Sequence, residues 1–158
     1  ELLGTLITAA RLMVEAASGR LLVEQVWRIV LDAWPQGGDI RLPLSPVRSL
    51  TVARVYPASG PSEAVASSSL TLAEGSDPPL IRIAGPVPAP GRAHAAIEID
   101  LVAGFGPTRD TVPAPLRQAV LRLACRWFEY RGDVVSRDAM RLPTEIAALV
   151  APFRRVRL

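Results

Sequence analysis

The segment PAPLRQAVLRLACRWFEYR, residues 113–131, holds the strongest periodic signal in the chain and decides how the rest is read. Leu116, Ala119, Val120, Leu123, Ala124 and Trp127, continued by Tyr130 or Arg131, recur at the spacing that lines one face of a 3.6-residue helix. Arg117, Gln118, Arg122, Arg126 and Glu129 take much of the other side. Pro113 and Pro115 suit a first helical turn, where a missing N–H costs little, and Gly132 stands where a left-handed C-terminal cap is usually placed. The spacing therefore predicts an amphipathic helix over about 113–131.

A second helix is predicted at the other end, over about 1–18. Leu2 or Leu3, Leu6, Ala10, Met13, Val14 and Ala17 share one side, with Thr5, Thr8, Arg11 and Glu15 largely on others, and Ser18-Gly19 closes it. Between the two helices the period changes to two. Residues 21–34 read as a strand with Val23, Trp27, Ile29, Leu31 and Ala33 on one face and Gln25 as the polar exception. Short strands follow at 40–42 and 47–56, and 70–73 pairs with 80–84 across the turn between them. Residues 96–102 alternate Ile97, Ile99 and Leu101 against Glu98, Asp100 and Val102, the pattern of a half-buried strand. Pro, Ser and Gly crowd 57–69, which predicts an exposed, mobile loop, and three prolines keep 85–92 out of regular structure.

After the long helix, 133–143 reads as a polar connector. Residues 143–150 hold a short helix with Ile146, Leu149 and Val150 inward. The chain ends APFRRVRL, alternating Arg154, Arg155 and Arg157 with Phe153, Val156 and Leu158. This is the pattern of a strand lacking a partner, open to two readings: a segment that docks on another protein, or a frayed end. The expected fold is α+β: helices at both ends packed together, a central antiparallel β insertion over about 21–102, and an extended C-terminal tail. Residues 1–150 make a single domain and 151–158 the tail.

Bulk properties narrow the function. The chain has 158 residues, nearly half of them apolar, enough for one domain with its own core. No apolar run approaches the roughly 18 residues of a membrane span, and no signal core opens the chain, so a soluble intracellular protein without a membrane role is expected. The chain begins at Glu1 rather than Met, which suggests that a short N-terminal piece precedes it. All 18 basic residues are Arg; with abundant Ala, Pro and Val this reflects a GC-rich coding sequence more readily than a mechanism. A net charge of +3, scattered along the chain, makes nucleic-acid binding the second choice.

Candidate chemistry is sparse. His94, the one histidine, has no Gly-x-Ser-x-Gly partner motif, and its nearest acids, Glu98 and Asp100, fall on the solvent side of a strand. Cys125, the one cysteine, lies in the long helix beside a core face, which favours inert packing and excludes an internal disulfide. Gly104-Phe105-Gly106 starts like a phosphate-binding fingerprint, but Arg109 stands where a third glycine belongs. Asp32, Asp39 and Asp77 sit at turns or strand ends, with no metal-ligand spacing. No catalytic residue, cofactor or metal is expected, and the protein is read as a non-enzyme. Trp27, Trp34 and Trp127 suit a core better than an interface.

Several stretches, in order, resemble the head-tail connector (adaptor) proteins of tailed bacteriophages and gene transfer agents. They are Ser18-Gly19-Arg20 with Glu24-Gln25-Val26-Trp27, then IRLPLSPV (40–47) with Val52, VAGFG (102–106), and VPAPLRQA (112–119) leading to WFEYR (127–131). The resemblance implies a ring of about a dozen identical subunits at the neck of a virion or phage-like particle, beneath the portal, with assembly from the host cytoplasm. It implies as partners the portal protein and a tail-side connector or stopper protein, with DNA passing through the channel without sequence readout. It also assigns portal binding to the tail residues Phe153, Arg154, Arg155, Val156, Arg157 and Leu158.

Overall fold

The computed structural model describes residues 1–129 and 142–154. The fold is α+β, with helices toward both ends of the chain and antiparallel strands in the middle, as the periodicity predicts. Two compact units divide it: a helical one from Glu1–Val23 with Phe105–Leu158, and a β unit from Glu24–Gly104.

In the helical unit, α1 (Leu2–Ser18), α2 (Ala114–Glu129) and α3 (Thr144–Val150) pack on one another. Ala10 and Val14 of α1, Leu116, Ala119 and Leu123 of α2, and Ile146 and Val150 of α3 are buried together, with Leu22 and Val112 from the flanking chain. Small Ala10 and Ala119, both fully buried among larger Leu and Ile side chains, let these short helices approach closely. The buried face of α2 is the one its spacing predicts, and Trp127 packs partly buried against the same core. α2 is described as far as Glu129; Tyr130, Arg131, the Gly132 cap and most of the connector 133–143 lie outside the described residues.

Glu15 departs from expectation. It is 8% exposed rather than on a solvent side, because its Oε1 accepts the backbone N–H of Leu22 (2.8 Å) and the Arg11 guanidinium (3.0 Å). The carboxylate thus satisfies a backbone donor just beyond the helix, where Gly19 (φ 69°) takes the left-handed cap and donates its N–H to the Glu15 carbonyl. That turn draws Leu22 into the helical core, so the strand predicted to begin at 21 begins at Gln25. At the other end, Ala151–Phe153 form a 3-10 helix continuing α3, where an extended tail is expected from residue 151.

The β unit contains two sheets. The four-stranded one has the order β1-β7-β3-β4, from β1 (Gln25–Leu31), β7 (Ile97–Ala103), β3 (Val47–Val55) and β4 (Glu63–Ala64). The three-stranded one has the order β2-β6-β5, from β2 (Asp39–Arg41), β6 (Leu80–Ile83) and β5 (Leu70–Leu72). All pairings are antiparallel, including the predicted β5–β6 hairpin. The alternation in β7 holds residue by residue: Ile97, Ile99, Leu101 and Ala103 are fully buried, while Glu98, Asp100 and Val102 are not. The stretch 57–69 is more ordered than its composition suggests. Glu63–Ala64 pair with β3, Ser67–Ser69 form a 3-10 turn, Val65 is buried, and Ser69 Oγ donates to the Pro86 carbonyl (2.7 Å). Backbone bonds and one seryl hydroxyl supply what bulky side chains do not.

Leu123, 1% exposed, belongs to the apolar cluster of the helical core, whereas Arg122 is on the exposed side of α2. Leu123→Asp is expected to destabilise by on the order of 4 kcal/mol or more and lose the cooperative thermal transition followed by circular dichroism, with Arg122→Ala within about 0.5 kcal/mol of the parent.

Candidate interaction surfaces

The residues that carried chemical promise in the sequence are not brought together. His94 is 89% exposed, its Nδ1 3.6 Å from Asp32 Oδ2, while Asp32 Oδ1 accepts the backbone N–H of Ala95 (2.8 Å). Cys125 is exposed on α2 rather than packed. Gly104 follows β7 with a positive φ of 122°, and at Gly106 a Cβ would lie 2.5 Å from Thr111 Oγ1, so Gly106 serves the close approach of the Arg109–Thr111 3-10 helix. Asp39 pairs with Arg82 across the β2–β6 ladder. Among the described residues, no three His, Cys, Asp or Glu side chains stand close enough to hold a metal ion. No described helix is long and apolar enough to cross a membrane.

What the fold does build is uncharged and grooved surface. In the helical unit, the only ionisable side chains of α1 are Arg11 and Glu15, and these pair with each other. Its exposed positions, among them Leu2, Thr5, Ala9, Leu12 and Ala16, carry no charge, and Leu12 is 54% exposed. A water-facing helix side without a single charge is unusual in a subunit that stays alone. A second surface lies across the same unit. Ile7, Leu22, Val23, Val120 and Leu121 line a groove of about 520 Å³, with Arg117, Arg109 and Asp110 beside it, and Asp110 Oδ1 receives Arg117 at 3.1 Å.

The β unit presents a charged outer face. Arg28 of β1 forks onto Asp100 of β7 through Nε (2.6 Å) and Nη2 (3.1 Å), and Arg54 of β3 reaches the same carboxylate at 2.9 Å. Arg28 also lies 3.3 Å from Glu98, whose Oε2 accepts the Tyr56 hydroxyl (3.0 Å), and the Arg92 guanidinium stacks 4.2 Å over the Tyr56 ring. The hydrogen bonds from Arg28 and then Arg54 outweigh burial and hold the Asp100 carboxyl down at about 2, against an ordinary 3.8. The register puts Arg28 directly opposite Asp100, so the fork ties β1 to β7 on the solvent side while Trp27 and Leu101 face the other way. Sequence spacing places the acids correctly but does not reveal this network, because the partners come from strands far apart in the chain.

Of the three tryptophans, Trp34 is half-buried with its Nε1–H donated to the Pro88 carbonyl (2.8 Å), while Trp27 remains 39% exposed. In the tail, Phe153 packs partly buried against the helical core and its carbonyl accepts the Arg20 Nε–H (3.1 Å). Arg154 is exposed; Arg155, Val156, Arg157 and Leu158 lie outside the described residues.

No protein-family model and no curated protein matches the chain. Solved structures do. The chain is similar to a chain in the virion of a native gene transfer agent particle, with 30% identity and a TM-score of 0.82, over 99% of this chain and 78% of that one. A chain in the neck of an empty particle, determined with sixfold symmetry, matches at 30% identity and TM-score 0.82 over 99% and 78%. One in the neck of a native particle, determined with twelvefold symmetry, matches at 30% and 0.81 over 99% and 83%. These surfaces and matches define a structural component of a particle neck. The chain belongs to the family of phage and gene-transfer-agent neck proteins.

A depressed acid stabilises the fold above its unfolded value and loses that contribution as the pH falls through its folded value. Asp100→Asn is therefore expected to be less stable than the parent at pH 6. The gap in thermal midpoint should close as the pH falls from about 4 toward about 2, where the parent carboxyl also takes up its proton.

Proposed function

We propose that the protein is the head-tail connector (adaptor) subunit of a phage or phage-like particle, a non-enzymatic part that forms a ring of about a dozen copies beneath the portal and joins it to the tail. The observation that carries this reading is similarity along 99% of the chain to a chain in a neck with twelvefold symmetry. The helical unit supports it, because a closed ring needs two different patches on each copy, and the charge-free side of α1 and the groove beside α2 are two such patches. Summed over a ring, individually weak contacts give firm attachment. DNA passes through the ring without sequence readout, which fits a chain whose described arginines are largely paired with acids.

On this reading one domain, 1–150, builds the ring, and the tail from 151 onward meets the portal. Phe153, tied down through Arg20, fixes where the segment leaves the helical core, and Arg154, Arg155, Val156, Arg157 and Leu158 make the contact. The other face of the ring takes the tail-side connector or stopper protein. Before assembly the subunit resides in the host cytoplasm.

Light scattering of the purified protein, alone and with the portal protein of the same genome, is expected to show a large complex in the mixture. A monomer that ignores portal but shifts with DNA at physiological salt would instead identify a nucleic-acid-binding module. Removing residues 155–158, which spares the packed Phe153, is expected to leave the circular dichroism spectrum unchanged and abolish portal attachment; undiminished attachment would overturn the tail assignment. Leu12→Asp, on the charge-free side of α1, is expected to give a folded subunit that no longer closes a ring in electron micrographs.

A further inference from the structure

Each of the two long helices carries, outside the core they share, a seam of uncharged residues at alternating spacings of three and four. In α1 these are Leu2, Thr5, Ala9, Leu12 and Ala16, all exposed, with Leu2 at 49% and Leu12 at 54%. In α2 they are Gln118, Leu121, Cys125 and Phe128, likewise exposed, with Leu121 at 52% and Phe128 at 44%. This spacing lets one helix lie along another, each seam side chain entering a gap between residues of the facing helix. The two seams of one chain cannot meet, because α1 and α2 already share a core through Ala10, Val14, Leu116, Ala119 and Leu123. They also face different sides of the helical unit. By helical geometry the α1 seam lies opposite Ile7 and Arg11, which line the groove, whereas Gln118 and Leu121 of the α2 seam lie along that groove.

We propose that the α1 seam of one copy packs antiparallel along the α2 seam of the next, with Leu12 opposite Cys125, and this rests on the connector reading above. In that register Ala9 meets Phe128 and Ala16 meets Leu121. Every level then sets a large side chain against a small one, and none holds a charge. The occupant is a second copy because the chains this one is similar to stand in necks with sixfold and twelvefold symmetry, and a rotational ring joins two different, complementary patches of each copy. Pairing α1 with α1, or α2 with α2, is two-fold and stops at two copies. A portal or tail-side protein stacked on the ring meets one end of each copy and leaves one of the two matched seams bare. The chain's own C-terminal segments do not fit either seam. Residues 155–158 include Arg155 and Arg157 and span at most about 13 Å, against roughly 21 Å from Leu2 to Ala16. Residues 130–141 hold Arg131, Asp133, Arg137, Asp138 and Arg141, too charged for an uncharged seam.

Cys125 is the one cysteine of the chain, so single substitutions read the register directly. Thr5→Cys, Ala9→Cys, Leu12→Cys and Ala16→Cys are made one at a time in the full chain and oxidised gently, alone and with the portal protein of the same genome. Circular dichroism checks that each variant folds, and electron micrographs check that it assembles. A disulfide needs its two Cα atoms within about 7 Å. Leu12→Cys is therefore expected to give a ladder of covalent oligomers beyond the dimer, with mass spectrometry placing the bond between position 12 of one chain and Cys125 of another. The other three variants are expected to stay largely uncrosslinked, and Leu12→Cys/Cys125→Ser is expected to lose the ladder. Rings in micrographs without a bond from position 12 to Cys125, or with the strongest bond from position 5, 9 or 16, overturn the proposed packing and leave the connector reading standing. Bonds within one chain, or only from 12 to 12 and from 125 to 125, overturn it as well. A parent that forms no large complex with portal counts against the connector reading itself.

Discussion

The fold depends on the chain leaving the helical core and returning to it at one place. Gln25, first in β1, pairs with Ala103, last in β7, and on the helical side the Phe105 N–H reaches the Leu22 carbonyl at 3.3 Å. Closing so long an insertion is an entropic cost that grows only slowly with its length, so once the two ends are locked the β unit can carry whatever loops its own packing tolerates. The same lock lets α1 and α2, from opposite ends of the sequence, share a core. It holds on two levels: seven ladder positions of main chain and, on the outside of the sheet, the Arg28–Asp100 fork with Arg54 beside it.

Much of this was legible in the residues because burial and period coincide. In α2, Leu116, Ala119, Val120, Leu123 and Ala124 are both the periodic set and the buried set; in β7, Ile97, Ile99 and Leu101 are. Short-range signals also held where chemistry is local, as with Gly19 at the end of α1 and the β5–β6 hairpin. Misreadings arose where a long-range bond reverses a local preference. Glu15 is a polar residue at a plausible solvent position until the Leu22 N–H needs an acceptor, and that one bond both buries the carboxylate and takes Leu22 away from the strand its neighbours propose. The region 57–69 looked structureless because its order rests on backbone pairing and the Ser69 hydroxyl, which leave no hydrophobic trace in composition.

The contact surfaces were less legible than the fold. An exposed apolar residue and a buried one are the same letter, and only the sheet register shows that Trp27 lies on the core-facing side yet at an edge, half uncovered. Family resemblance supplied the particle and the neck, and the structure supplied which sides of the subunit are unfinished.

The charge-free side of α1 has a consequence for endurance. Ion pairs at a surface weaken as the surrounding salt rises, whereas burial of uncharged surface is not screened and is reinforced by excluded salts. Nor does such a surface change when carboxylates gain protons. Contacts made through Leu2, Thr5, Ala9 and Leu12 would therefore hold equally in the crowded interior of a cell and in dilute, brackish or acidified surroundings outside it.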